Sequence, residues 1–116
     1  MKDDAIQQFD QIGGDELVRL LSALSSPHRL RILAALAGGR TYVSQLAREV
    51  RLSRPLVHMH LQRLEAAGLV SGRLELSEEG KAMKFFEVTP FALTLTPELV
   101  ARAAATLSDD GEEVPK

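Results

Sequence analysis

Apolar residues recur every three to four positions along most of this chain, and the places where that rhythm stops mark its elements. Val43, Leu46, Ala47 and Val50 fall at i, i+3, i+4 and i+7 and predict a helix from Val43 to Val50. Arg51 and Leu52 make a turn, Ser53 is a good N-cap, and Pro55 falls in a first helical turn where its missing N–H is harmless. A second helix then runs to about Ala67, with Gly68 as its C-cap. Within it Val57, His60, Leu61 and Leu64 share one face, while Arg54, Pro55, His58, Met59 and Gln62 lie on the other, with Arg63 near the edge. The outer face is the one available to a ligand.

The flanking stretches follow the same rhythm. Asp15 is expected to cap a helix from Glu16 to about Leu24 whose stripe is Leu17, Leu20, Leu21 and Leu24. Ser26-Pro27 starts another, from Pro27 to Ala37, expected to turn Leu30, Leu33, Ala34 and Ala37 inward and to leave Arg29 and Arg31 for solvent or phosphate. After Gly68, LVSGRLELSEEGKAMKFFEV alternates and turns at Glu78-Glu79-Gly80-Lys81, which predicts two antiparallel strands, with Leu74 and Leu76 opposing the run that ends in Phe85, Phe86 and Val88. Pro97 opens a last helix through Leu107, where Leu99, Val100, Ala103, Ala104 and Leu107 form a small-residue stripe suited to close packing against a second helix. Near the start, Ile6, Phe9 and Ile12 have helical spacing until Gly13-Gly14 breaks it.

Composition narrows the picture. A chain of 116 residues, 45% hydrophobic and 26% charged, fits one domain with a single modest core. It contains no cysteine, which excludes disulfides, thiolate chemistry and cysteine metal sites. No apolar run approaches a membrane span, and MKDDAIQQFDQ is not a basic region followed by an apolar one, so the expectation is a cytoplasmic protein that engages no membrane. The net charge of −2 hides an uneven distribution: residues 26–84 hold ten Lys and Arg against five Asp and Glu, and the acidic flanks carry the rest. Positive charge is thus concentrated around the two-helix unit, where contacts to a phosphate backbone need it.

Two helices joined by this tight turn have helix-turn-helix geometry, in which the second helix lies in a major groove. Taken together, SSPHRLRILAAL, then VSQLAREVRLSRPLVHMHLQRLEAAGLV, then a hairpin resembles the ArsR/SmtB family of dimeric winged-helix bacterial repressors, from about Leu17 to Leu107. The resemblance implies a mostly α fold of about five helices with a two-stranded wing, working as a homodimer on double-stranded DNA. It implies residues 1–14 as an acidic extension, 15–107 as the DNA-binding and dimerisation domain, and 108–116 as an acidic flexible tail. Its function would be sequence-specific transcriptional regulation, by repression at an inverted-repeat operator under an effector that the sequence does not identify. A separate sensing partner protein is one alternative, and a winged-helix module for protein–protein interaction is an alternative of another class.

Expected DNA contacts on the second helix are Ser53, Arg54, Pro55, His58, Met59, Gln62 and Arg63. Arg54 can fork onto guanine or a phosphate, and His58 is the preferred further contact. Thr41, Ser44 and Arg48 before or on the first helix, and Arg73, Lys81 and Lys84 on the wing, are expected to reach the backbone, with Thr41 also resembling a cap. Two glutamates at the wing tip make it less basic than a phosphate grip would ideally be. The dimer interface is expected at Leu17, Leu20, Leu21 and Leu24 together with Leu99, Val100, Ala103 and Leu107.

The metal-sensing branch of the family places a cysteine pair around a valine on the supporting helix and His or carboxylate ligands on the terminal helix. Here Tyr42 and Ser44 flank Val43, and no histidine lies between Pro97 and Leu107, so neither site is supported and no cofactor is expected. A nickel or zinc site using His28, His58 or His60 with carboxylates such as Asp3, Asp10, Glu98, Asp109 or Asp110 is the alternative. His58 and His60 cannot share a helix face, and His60 is expected to pack inward with one nitrogen hydrogen-bonded. Motifs of enzymes are missing: there is no glycine-rich phosphate loop, no His-Glu metal motif and no nucleophile-elbow serine, so no catalysis is expected.

Overall fold

In a computed structural model, residues 6–109 are described. The order is β1 (Gln7–Gln8), α1 (Gly14–Leu24), α2 (Pro27–Ala37), β2 (Thr41–Tyr42), α3 (Val43–Val50), α4 (Arg54–Ala66), β3 (Val70–Leu76), β4 (Ala82–Val88), β5 (Phe91–Ala92) and α5 (Pro97–Ala104). Five helices with a small antiparallel sheet are the fold class the sequence implied. Leu20, Ile32, Leu36, Leu46, Val57, Leu61, Leu64, Leu69 and Phe86 are completely or almost completely buried, so one core joins all the helices' inner faces to the base of the hairpin. Each such aliphatic or aromatic side chain contributes about 1.5–3 kcal/mol when taken from water.

The hairpin pairs Val70 with Val88 and Leu76 with Ala82, and Ser77 closes its turn by donating to and accepting from Lys81. The sequence predicts the two hairpin strands but not the third strand of this sheet, because β2 is only Thr41–Tyr42, paired with Phe86 and Phe85 across the opposite edge of β4. In this register Leu74 faces Lys84 rather than the aromatic pair, and both Leu74 and Leu76 are exposed. The hairpin runs past the edge of the core, so these two leucines in its outer half stay exposed.

The N-terminal segment differs most from expectation. Ile6, Phe9 and Ile12 do not form a helix: Gln7–Gln8 pair in parallel with Phe91–Ala92, and Phe9 and Ile12 enter the core. The part of the expected extension from Gln7 onward is therefore packed on the domain, whereas Met1–Ala5 and residues 110–116 lie outside the described residues. Asp15 does not cap α1, whose N-cap is Gly13; its carboxylate instead accepts the Ser108 N–H at 3.1 Å.

The inward face of α2 is also rotated from expectation. Ile32, Leu33 and Leu36 are buried, whereas Leu30 and Ala34 are exposed. Apolar residues surround this helix, so periodicity alone could not fix its orientation. Arg29 supplies the missing information: its guanidinium must reach inward to the end of α1 and to α4.

Candidate nucleic-acid interface

The connection between α3 and α4 is built by the residues the sequence nominated. Leu46 and Ala47 seat α3 on the core, and the chain then reverses through Arg51, whose φ of 60° is left-handed, while Leu52 N–H returns to the Ala47 carbonyl at 3.1 Å. A non-glycine residue in that region is strained, and the closing hydrogen bond holds it there. Ser53 Oγ accepts the Leu56 N–H at 3.3 Å, which caps α4. At the far end Gly68, with φ of 80°, lets Leu69 N–H reach the Leu64 carbonyl and its own N–H reach Glu65, a Schellman stop.

Helix α4 divides as expected. Val57, Leu61 and Leu64 are fully buried, and His60 is 8% exposed. Arg54, Pro55, His58, Met59, Gln62 and Arg63 all stand on the exposed side, with Gln62 Nε2 3.4 Å from His58 Nε2. At about 100° per residue, Arg54 and Arg63 fall on opposite flanks of that side, roughly 180° apart. Arg54 and His58 share one flank, and Arg63 stands beside His60 and the cleft between α1 and α2.

The other nominated residues are less uniformly placed. Ser53 is committed to the cap, and Thr41 is no cap at all, since it pairs in β2 and Tyr42 occupies the N-cap of α3 without a side-chain bond. Ser44 is half-buried. Arg48 is exposed and its Nη2 donates to Gln45, which in turn donates to Glu49 at 3.0 Å. Arg73 and Lys81 are exposed on the hairpin, and Lys84 lies with its ammonium 5.3 Å from the Phe86 ring centre.

Arg40, whose role no local pattern in the sequence signals, bears on this surface. Arg40 forks onto Glu75 at 2.6 and 2.8 Å and stacks 4.5 Å over Phe85. The guanidinium holds the Glu75 carboxyl below its usual range, and Glu75 holds Arg40 above its own. One of the hairpin's acidic charges is thereby neutralised next to Arg73.

Burial, and then the nearby charges of Arg29, His28 and Arg63, lower the pKa of His60. Arg29 is the partner that the inward histidine needed: its Nη1 lies 3.0 Å from Nδ1, while Nε and Nη2 donate to the Ala23 and Ser22 carbonyls at 2.8 and 3.2 Å. Helix α1 has no basic residue in its own last turn, so Arg29 supplies the cation that its carbonyl end favours. Arg29 is therefore anchored inward by these three bonds rather than extended freely into solvent. His28 and His60 come together with ring centres 5.7 Å apart, but His58 is on the far side of α4. Among the described residues no three His, Asp or Glu converge as metal ligands. The carboxylates of Asp3 and Asp110 lie outside those residues.

The fold divides the residues expected at the dimer interface. Leu17, Leu20, Leu99 and Ala103 are buried within one chain, because α1 and α5 pack on each other and share those stripes. What remains outside is Val18 at 55%, Val100 at 45% and Leu107 at 46% exposure, around a shallow apolar groove of about 140 Å³ that Ala104 also lines. Leu21 is exposed and Leu24 is half-buried.

A helical pair with an exposed second helix, followed by a β-hairpin, defines a winged helix-turn-helix domain. Comparison with known proteins agrees. Residues 26–71 match the family described as bacterial regulatory protein, arsR family. The chain is 34% identical over 87 residues to an uncharacterised HTH-type transcriptional regulator of Methanocaldococcus jannaschii, covering 75% of this chain and 90% of that protein. It is 46% identical over 59 residues to the HTH-type transcriptional regulator CmtR of Mycobacterium tuberculosis, which is 51% of this chain and 50% of CmtR. Among solved structures, a homodimeric winged helix-turn-helix DNA-binding domain from Mycobacterium bovis superposes with a TM-score of 0.58 at 28% identity, over 78% of this chain and 73% of that one. The chain belongs to the arsR family of bacterial regulatory proteins, and it is a winged-helix transcriptional regulator. Among the described residues no helix is long and apolar enough to cross a membrane.

Proposed function

We propose that this regulator works as a homodimer that binds an inverted-repeat operator and represses transcription until an effector loosens the complex. The observation that carries the reading is the division of α4: its inner face is sealed in the core while Arg54, His58 and Gln62 stand exposed among the described residues. In a major groove, a forked guanidinium near the helix start suits guanine, and an amide such as that of Gln62 suits adenine. Arg48 on α3 and Arg73 and Lys81 on the hairpin are exposed and supply phosphate contacts. The groove formed by Val18, Val100, Ala104 and Leu107 supports pairing of two chains, as does the homodimeric state of the Mycobacterium bovis domain. Two copies place two α4 helices on one side of a duplex, one helical turn apart.

Fluorescence anisotropy with labelled duplex DNA, repeated across salt concentrations, tests the reading. Binding should weaken steeply with salt, with log affinity linear in log salt and a slope set by the number of phosphates neutralised. A protein-interaction module would give no duplex binding, or a salt-independent residue of it.

A further inference from the structure

Between the C-terminal half of α1, the start of α2 and the C-terminal half of α4 lies an open cleft of about 170 Å³, lined by Arg19, Ser22, Ala23, Arg29, Arg63 and Ala66. Half of its lining side chains are guanidinium groups, and among the described residues none of the three is paired with a carboxylate. Elsewhere the chain does neutralise a guanidinium, as Arg40 with Glu75 shows.

One wall of the cleft is built rather than merely exposed. Arg29 is fixed by three hydrogen bonds, to the Ala23 and Ser22 carbonyls and to His60 Nδ1. A guanidinium has five N–H donors and these bonds use three, so Arg29, which lines the cleft, keeps donors for a ligand at a set position. Arg19 and Arg63 are exposed and stand on α1 and α4. Three like charges gathered around one small cleft repel one another, and an anion seated among them turns that repulsion into attraction. Guanidinium groups also match phosphate oxygens geometrically, through paired N–H donors.

We propose that this cleft is a phosphate-binding site, in which Arg19, Arg29 and Arg63 together hold one phosphate group. Two sources carry that chemistry: a small phosphorylated ligand, or a phosphate of the DNA backbone. Because the site bridges α1 and the flank of α4 opposite Arg54, a small ligand there would bias the seating of α4. That regulatory consequence rests on the effector-controlled DNA binding proposed above, whereas occupancy of the cleft does not. His60 lies directly behind Arg29, so an anion in the cleft offsets the positive charges that disfavour its protonation.

The test titrates inorganic phosphate into the full chain without DNA, at ionic strength held constant with chloride, and follows amide and histidine NMR signals. A small-ligand site gives saturable shifts at Ser22, Ala23 and Ala66, and His60 titrates at higher pH when phosphate is present. Replacing both exposed groups, Arg19→Ala with Arg63→Ala, should weaken that response by about tenfold or more, the cost of losing charge-assisted bonds. The DNA arm separates the sources. If the double variant binds every duplex more weakly and its salt slope falls by about one, as the loss of one phosphate contact requires, the bound phosphate is that of the backbone. If DNA affinity is unchanged while the phosphate response is lost, the site takes a small ligand. A phosphate response that survives the double substitution overturns the proposal, as does a wild-type chain with no saturable response whose double variant keeps the wild-type salt slope. Should the wild-type chain bind no duplex, the proposed function fails while the phosphate titration still decides the cleft.

Discussion

Arg29 reaches from the first turn of α2 to His60 on the buried face of α4, with Nη1 3.0 Å from Nδ1. A guanidinium only donates, so Nδ1 accepts and the ring carries its proton on Nε2. The same guanidinium closes the carbonyl end of α1, so one side chain ties three helices together at the back of the proposed DNA-reading helix.

This contact makes stability depend on pH. Burial, followed by the charges of Arg29, His28 and Arg63, lowers the His60 pKa from its ordinary value of 6.5. With the folded value below the unfolded one, the unfolded chain binds more protons in between, so the stabilisation is full above about pH 6.5 and is lost as pH falls through the folded pKa. Thermal unfolding followed from about pH 7.5 down to pH 5 should show a falling midpoint. His60→Gln, which keeps an acceptor for Arg29 but does not titrate, should flatten that segment of the profile. An unchanged slope in the variant would assign the pH dependence to another group.

Gly14 is held where α1 meets the end of α5. Its N–H donates to Thr106 Oγ1 at 2.8 Å, and a Cβ there would meet the Ala103 carbonyl oxygen and lie 2.7 Å from Leu107 Cγ. A carbonyl cannot swing away as the tip of a long side chain can, so Gly14→Ala should force the helices apart and cost about 1–3 kcal/mol. Denaturant unfolding reads the loss, and an unaltered midpoint would show that the two ends are not packed this closely.

The exposed part of the α1–α5 surface is expected to join two chains. Val18→Asp or Val100→Glu places a charge in the apolar groove without touching the core of one chain, so multi-angle light scattering should report a monomer while circular dichroism is unchanged. A dimer that survives both changes would move the interface to another face.

Arg54 and Arg48 are expected to differ in kind. If Arg54 forks onto a base edge, Arg54→Ala should cost about 1–3 kcal/mol on the preferred site and relax the preference at one base pair. Arg48→Ala should weaken all sequences alike and reduce the salt slope by about one. Anisotropy titrations on matched and mismatched duplexes distinguish these outcomes, and equal loss of preference in both variants would contradict the assignment.

The helix-turn-helix was legible because local rules and packing agree there. Ser53, Pro55 and Gly68 are strong punctuation, and α4 alternates Val57, His60, Leu61 and Leu64 against a polar face. Its buried histidine was placed correctly, but its partner was not. Arg29 looks like any surface arginine until the fold brings α1 carbonyls and His60 around it, and this long-range contact leaves no trace in periodicity. For the same reason the pattern alone does not divide the apolar stripes of α1 and α5 between the core and a dimer surface, since it does not say whether a helix in the same chain or in another covers them. The short strands Gln7–Gln8 and Thr41–Tyr42 are defined by their partners alone and carry no internal signal.

The central claim is that two copies of α4 read DNA symmetrically, and selection of bound duplexes from a random pool by the purified full chain tests it most directly. The enriched sequences should converge on an inverted repeat whose half-sites are centred about 10 base pairs, one helical turn, apart. Arg54→Ala should degrade one matching position in both half-sites. No enrichment, or a motif without two-fold symmetry, would contradict the account.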